Sequence, residues 1–139
     1  MALEKTLRDY EKVLNRLKEA YKKALTYRGT EEYEFFRDSA IQRFEFSVEL
    51  MWKLIKRFLE TYEGLTCRSP KSCIREFFSA GYLSEEETLK LLQMVDDRNR
   101  TSHTYHEEVA QELFQNLRCY LPLMERLLLL MRDRIKGSY

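Results

Sequence analysis

The stretch Ile41-Gln42-Arg43-Phe44-Glu45-Phe46-Ser47-Val48-Glu49-Leu50-Met51-Trp52-Lys53-Leu54-Ile55-Lys56-Arg57-Phe58-Leu59-Glu60-Thr61-Tyr62 decides the fold class. Within it Ile41, Phe44, Val48, Met51, Ile55, Phe58 and Tyr62 recur at spacings of three and four, the period that lines one face of an α-helix. Phe46, Leu50, Trp52, Leu54 and Leu59 widen the apolar surface beyond that stripe, so this helix is expected at the centre of the molecule. Gly64 supplies a residue at which such a helix can stop.

The same pattern flanks this helix. Upstream, Leu3, Leu7, Tyr10, Leu14, Leu17, Tyr21 and Ala24 predict a long helix over residues 3–28 that ends at Gly29. Downstream, Ser69-Pro70 reads as an N-cap and first helical residue of a short helix reaching about Ala80. Ser84 with Glu87 forms a capping box for a fourth helix, whose inward stripe is read as Leu89, Leu92 and Val95 with Leu91 beside it. Phe114, Leu117, Leu121, Met124, Leu128, Met131 and Ile135 define a long terminal helix with Pro122 inside it as a kink. No strand alternation or internal repeat interrupts this order. The expected fold is all-α, an up-and-down bundle of four main helices plus one short helix, in a single domain over residues 1–139.

Composition narrows the function. Four glycines and two prolines, with 34% charged and 44% hydrophobic residues, exclude collagen-like and disordered chains. A net charge of +1 provides no general field for gripping nucleic acid, so any such contact requires a local patch or a site shared between subunits. Arg126, Arg132, Arg134 and Lys136 are read as the solvated face of the last helix. Cys67, Cys73 and Cys119 are an odd set without zinc-knuckle spacing, and free thiols are expected. The longest apolar run, Leu127 to Met131, is far below spanning length, and no signal-peptide core is visible, so a cytoplasmic protein is expected.

Chemistry concentrates in Asp97-Arg98-Asn99-Arg100-Thr101-Ser102-His103-Thr104-Tyr105. Arginine offers a planar fork of donors to phosphate, histidine exchanges protons near neutral pH, and tyrosine carries a modifiable hydroxyl. On an uninterrupted helix Arg98 and His103 would lie about 140° apart. The arrangement therefore requires either that the Thr101 to Thr104 stretch unwinds or that two copies assemble the site. Two histidines without a fixed third ligand make a weak metal site, and no metal or other cofactor is expected.

Arg98, His103 and Tyr105 resemble the R-x4-H-x-Y motif of HEPN-domain toxins. Arg37-Asp38-Ser39-Ala40-Ile41-Gln42-Arg43-Phe44-Glu45-Phe46, Glu49-Leu50, Trp52-Lys53 and Ser69-Pro70 extend the resemblance to the nucleotidyltransferase substrate-binding family, a branch of the HEPN proteins. It spans roughly residues 5–130. The resemblance implies a dimeric helical bundle paired with a minimal nucleotidyltransferase as toxin and antitoxin, and a metal-independent ribonuclease activity. Arg98 and His103 would be catalytic, Asn99 and Arg100 would contact the RNA, and Tyr105 would be adenylated by the partner (AMPylation), which blocks the cleft. His106 stands where the family commonly has asparagine. The alternative is a non-catalytic nucleotide- or substrate-binding subunit of a nucleotidyltransferase complex.

Overall fold

Ala2–Thr26 forms α1, Tyr33–Glu63 α2, Pro70–Ser79 α3, Glu85–Asn99 α4 and Glu107–Lys136 α5, with a 3-10 turn, Arg100–His103, after α4. The computed structural model describes residues 2–103 and 106–137, without the side chain of His103, and contains no strand among them. The all-α bundle is as expected, with α2 at its centre, touching every other helix.

Cross-contacts give the directions. Tyr10 lies against Met124 and Tyr21 against Phe114, so α1 and α5 run antiparallel. Arg37 meets Glu107 and Phe44 meets Tyr120, so α2 and α5 run parallel. Asp97 meets Tyr120 and Glu87 meets Arg126, so α4 opposes α5. The long helices thus alternate in the order α1, α2, α4, α5, with α3 the short addition.

The apolar stripe of α1 is buried as read, apart from the partly buried Tyr21. Tyr10 is fully buried and donates its hydroxyl proton to the Met124 carbonyl at 2.8 Å. That bond removes the penalty of about 1–3 kcal/mol for burying an unsatisfied hydroxyl. Phe58, Phe77 and Tyr82 form an aromatic knot where α2, α3 and the turn before α4 converge. Gly64 takes φ +65° at the end of α2, the left-handed conformation that only glycine adopts without strain.

Two side-chain expectations change. Leu89 is 62% exposed; the buried side of α4 is Thr88, Leu91, Met94 and Val95, one residue out of step with the expected stripe. Thr88 faces inward with its hydroxyl satisfied locally, donating to the Ser84 carbonyl at 2.8 Å. Phe46 stands half exposed on α2, while Leu54 and Leu59 are buried. Pro122 lies inside α5 on its exposed side with Arg118, where water can take up the carbonyl that the missing amide frees.

The expectation of three free thiols fails for two of them. Cys67 and Cys73 form a disulfide with Cα atoms 5.1 Å apart, whereas Cys119 is free and exposed. Lys71 in the first turn of α3 reaches Asp96 at the far end of α4, while Tyr82 reaches Glu63 at the end of α2. The 64–69 linker therefore climbs back along the bundle before α3 begins, and this return carries Cys67 to Cys73. Sequence spacing alone could not show that reversal.

Cross-linking this short loop restricts the unfolded chain, worth about 2 kcal/mol in the chain-entropy account. Urea unfolding of the Cys67→Ala/Cys73→Ala variant is expected to show that loss. Reductant should lower the wild-type midpoint and leave the variant unchanged; equal midpoints for the oxidised wild type and the variant would refute the contribution.

Candidate functional site

The site begins with how α4 ends. The Thr101 hydroxyl lies 2.7 Å from the Arg98 carbonyl, and that of Ser102 lies 3.4 Å from the Asn99 carbonyl. These hydroxyls take up carbonyls that a continuing helix would bind. The α-helix stops at Asn99 and the chain tightens into the 3-10 turn, so Arg98 and His103 do not share one regular helix. The His103 backbone closes that turn. Tyr105, the expected modification site, lies outside the described residues.

Arg98 projects from the last turn of α4 toward α2. Its side chain is 30% exposed, and the guanidinium lies 3.6 Å from Glu45 and 3.6 Å from Glu49. Both distances exceed a hydrogen bond, and the buried Nε has no hydrogen-bond partner among the described residues. Glu45 Oε2 also lies 3.0 Å from the Thr101 hydroxyl, and Lys53 lies 3.6 Å from Glu49. The carboxylates spaced four apart on α2 therefore frame the arginine. Beside them, Phe35, Asp38, Gln42, Glu45 and Thr101 line an open cleft of about 450 Å³.

Asp97 anchors this end of α4. It is 4% exposed, and its Oδ2 accepts from the Tyr120 hydroxyl at 2.5 Å and from Asn116 Nδ2 at 2.9 Å. Burial first, and then the neighbouring carboxylate, push the Tyr120 hydroxyl well above its ordinary range, so it remains a proton donor. Arg100 donates to both oxygens of Glu112 at 2.9 Å each and lies 3.4 Å from Asp97. This expected substrate contact is thus held against α5 in the free protein. Asn99 is exposed on the last turn of α4.

A second arginine holds the other end of the loop. Arg37 is 2% exposed and donates through both terminal nitrogens to Glu107, with Nη2 to Oε2 at 3.0 Å, while its Nε donates to Asp38 at 3.1 Å. The Arg100–Glu112 and Arg37–Glu107 forks grip the chain just before and just after residues 101–106. Glu107, Glu112, Asn116 and Tyr120 were not legible as site residues in the sequence. The available signal was that Asn116 and Tyr120, four apart, share a helix face and can converge on one acceptor. His106 is exposed at the N-terminus of α5.

The family profile described as nucleotidyltransferase substrate binding protein like matches residues 5–133. The chain belongs to the nucleotidyltransferase substrate-binding family. Probable ribonuclease HepT of Haemophilus influenzae is 32% identical over 104 residues, covering 72% of this chain and 68% of that protein. A Thermus thermophilus protein of known crystal structure is 41% identical, with a TM-score of 0.79 over 88% of this chain and 98% of its own. A Haemophilus influenzae structure described as the fold of a substrate binding domain of a nucleotidyltransferase shares that fold. It has 22% identity and a TM-score of 0.67 over 94% of this chain and 97% of its own.

In this member of the nucleotidyltransferase substrate-binding family, Tyr120→Phe is expected to cost about 1.5 kcal/mol, since it removes a hydrogen bond to a charged acceptor. Asp97→Ala should cost more, because it leaves the hydroxyl of Tyr120 and the amide of Asn116 unpaired. Denaturant unfolding of both variants checks the order, and a reversed order would remove Asp97 as the anchor.

Arg37 holds Glu107, and Arg100 holds Glu112, below the ordinary carboxylate value of 4.5. The stability these carboxylates contribute is therefore fully present above about pH 4.5 and lost as the pH falls through their lowered values. Unfolding midpoints measured downward from pH 6 should show this loss, reduced in Glu107→Gln/Glu112→Gln. An identical slope in that variant would exclude the two forks as its source.

Proposed function

We propose that this protein is a metal-independent ribonuclease of the HEPN type that acts as a homodimer and is neutralised when a partner minimal nucleotidyltransferase adenylates Tyr105. The observation that carries the reading is Arg98, a guanidinium held between Glu45 and Glu49 by charge but without a side-chain hydrogen bond among the described residues, beside an open cleft and five residues from His103. Such an arginine can exchange carboxylates for phosphate oxygens with little reorganisation, and its charge is placed for a developing phosphorane.

The chemistry follows from the groups. An imidazole removes the ribose 2'-hydroxyl proton, the 2'-oxygen attacks the adjacent phosphorus, and the bond to the 5'-oxygen breaks as a second imidazole returns a proton. One His103 cannot serve as base and acid at the same instant; a dimer supplies two. Phe46, half exposed next to Glu45, gives a second copy an apolar contact beside the motif. On Tyr105 the hydroxyl would displace pyrophosphate from ATP, and the attached phosphate would compete with RNA for Arg98. The family resemblance supports the nucleotidyltransferase partner, and the name of the Haemophilus influenzae relative supports RNA cleavage. A cytoplasmic location belongs to the same proposal.

The second reading, a non-catalytic subunit that binds nucleotide or substrate for its partner, is favoured by the engagement of Arg100 with Glu112 in the free protein.

Purified protein incubated with RNA and a chelator should release fragments ending in 2',3'-cyclic phosphate. His103→Ala is expected to lower the rate by a factor of about 10²–10⁴ with dimerisation intact. Treatment with the nucleotidyltransferase and ATP should stop cleavage and add one or more adenylate masses to Tyr105. A folded dimer that leaves RNA intact would select the binding-subunit reading.

A further inference from the structure

Three of the four cations read on the last helix are committed within the fold: Arg126 to Glu87, Arg132 to Glu11, and Arg134 over the ring of Tyr62. A chain of net charge +1 must therefore find any path for a polyanion elsewhere. A second groove of about 560 Å³ runs between α1 and α2, with Arg16 and Lys23 on one wall and Arg43 on the other. Ser39 lines both this groove and the cleft beside Glu45, so the two adjoin on α2.

Periodicity explains the lining. Arg16, Ala20 and Lys23 lie four and three residues apart, as Phe36, Ser39 and Arg43 lie three and four apart, so each helix offers one face to the groove. Neither Arg16 nor Arg43 makes an ion pair among the described residues, and Lys23 lies 5.8 Å from the ring of Phe36. The carboxylate on the wall is Glu19, which leaves an excess of positive charge. Exposed aromatics stand at the end of the groove marked by Lys23 and Phe36. Phe35, on the cleft side, is 77% exposed, and Tyr27, stacked on Phe36 at 4.9 Å, is 40% exposed.

We propose that the α1–α2 groove is an extended binding track for single-stranded RNA, with Arg16, Lys23 and Arg43 on the backbone and Phe35 stacking an unpaired base beside the cleft. The inference rests on the ribonuclease reading for its choice of polyanion. Cations along a groove with an exposed ring beside it are what sequence-tolerant single-strand binding uses, because every phosphate is charged and every base has a face. Bases held in a duplex are already stacked on their neighbours and cannot use Phe35 in this way. Net charge near neutral is compatible with RNA binding where a local excess of cations lines one groove.

The test uses the full chain and 2'-O-methyl RNA strands of increasing length, which bind but lack the hydroxyl needed for cleavage, followed by fluorescence anisotropy over a range of salt. Affinity should rise with strand length. Arg16→Glu/Arg43→Glu should abolish that rise and lower the salt slope by about 1.4, two phosphate contacts at about 0.7 each. Arg16→Lys/Arg43→Lys should retain both, which separates charge from folding damage. Phe35→Ala should weaken single-strand binding about tenfold and leave duplex binding unchanged.

Binding by the Glu variant within twofold of wild type at every length would overturn the track. A Phe35→Ala change in oligomeric state with unchanged RNA affinity would assign that ring to a contact between copies and also overturn it. Length-dependent binding in a protein that cleaves no RNA would uphold the track and reject the ribonuclease reading.

Discussion

The buried carboxylate of Asp97 sets the end of α4 against α5, and the position of the motif depends on it. A carboxylate in an apolar interior is tolerated only when its oxygens are satisfied, and here Tyr120, Asn116 and Arg100 surround it. Apolar packing would permit α4 to slide or rotate on its neighbours, because contact between methyl groups has little direction. A hydrogen-bonded anion has direction, so Asp97 specifies the register and, one residue later, the aim of Arg98.

The same division of labour recurs around the loop. The core supplies the greater part of the free energy through fully buried residues such as Leu14, Phe44, Phe58 and Phe114. The arginine forks add less stability where their partners face water, since Glu107 and Glu112 are more than half exposed. Their role is geometric. Arg100 ties the entry of the 101–106 segment to α5, and Arg37 ties its exit to α2, so the segment bearing His103 is short and anchored at both ends. Arg98 is the exception among these arginines: its carboxylates stand beyond hydrogen-bonding distance. A group that must release its partners to meet a ligand is better held by charge at a distance than by a closed fork.

Helix order, helix type and the central place of α2 were legible because a period of three and four residues has one physical explanation, burial along one face. The caps at Ser69 and Ser84 were legible because hydroxyls there satisfy amides that the helix cannot. Leu89 was misplaced for an instructive reason. In a helix as polar as α4, a stripe of three leucine-like residues and the adjacent stripe through Thr88 and Leu91 differ by one position, and composition cannot choose between them. The disulfide was missed because Cys67 and Cys73 meet only when the linker doubles back, and the partners of Asp97 and Arg37 were missed because they lie 19 to 70 residues away.

The sequence by itself determined the all-α class, the segments that become helices and the presence of Arg98, His103 and Tyr105 in one short span, since each follows from local period, local capping or residue identity. Tertiary structure decided which carboxylates surround Arg98, which arginines are committed within the fold, and which cations remain on the groove between α1 and α2. Those outcomes depend on helix register and rotation, set by side chains far apart in the chain whose hydrogen bonds and packing must be satisfied together.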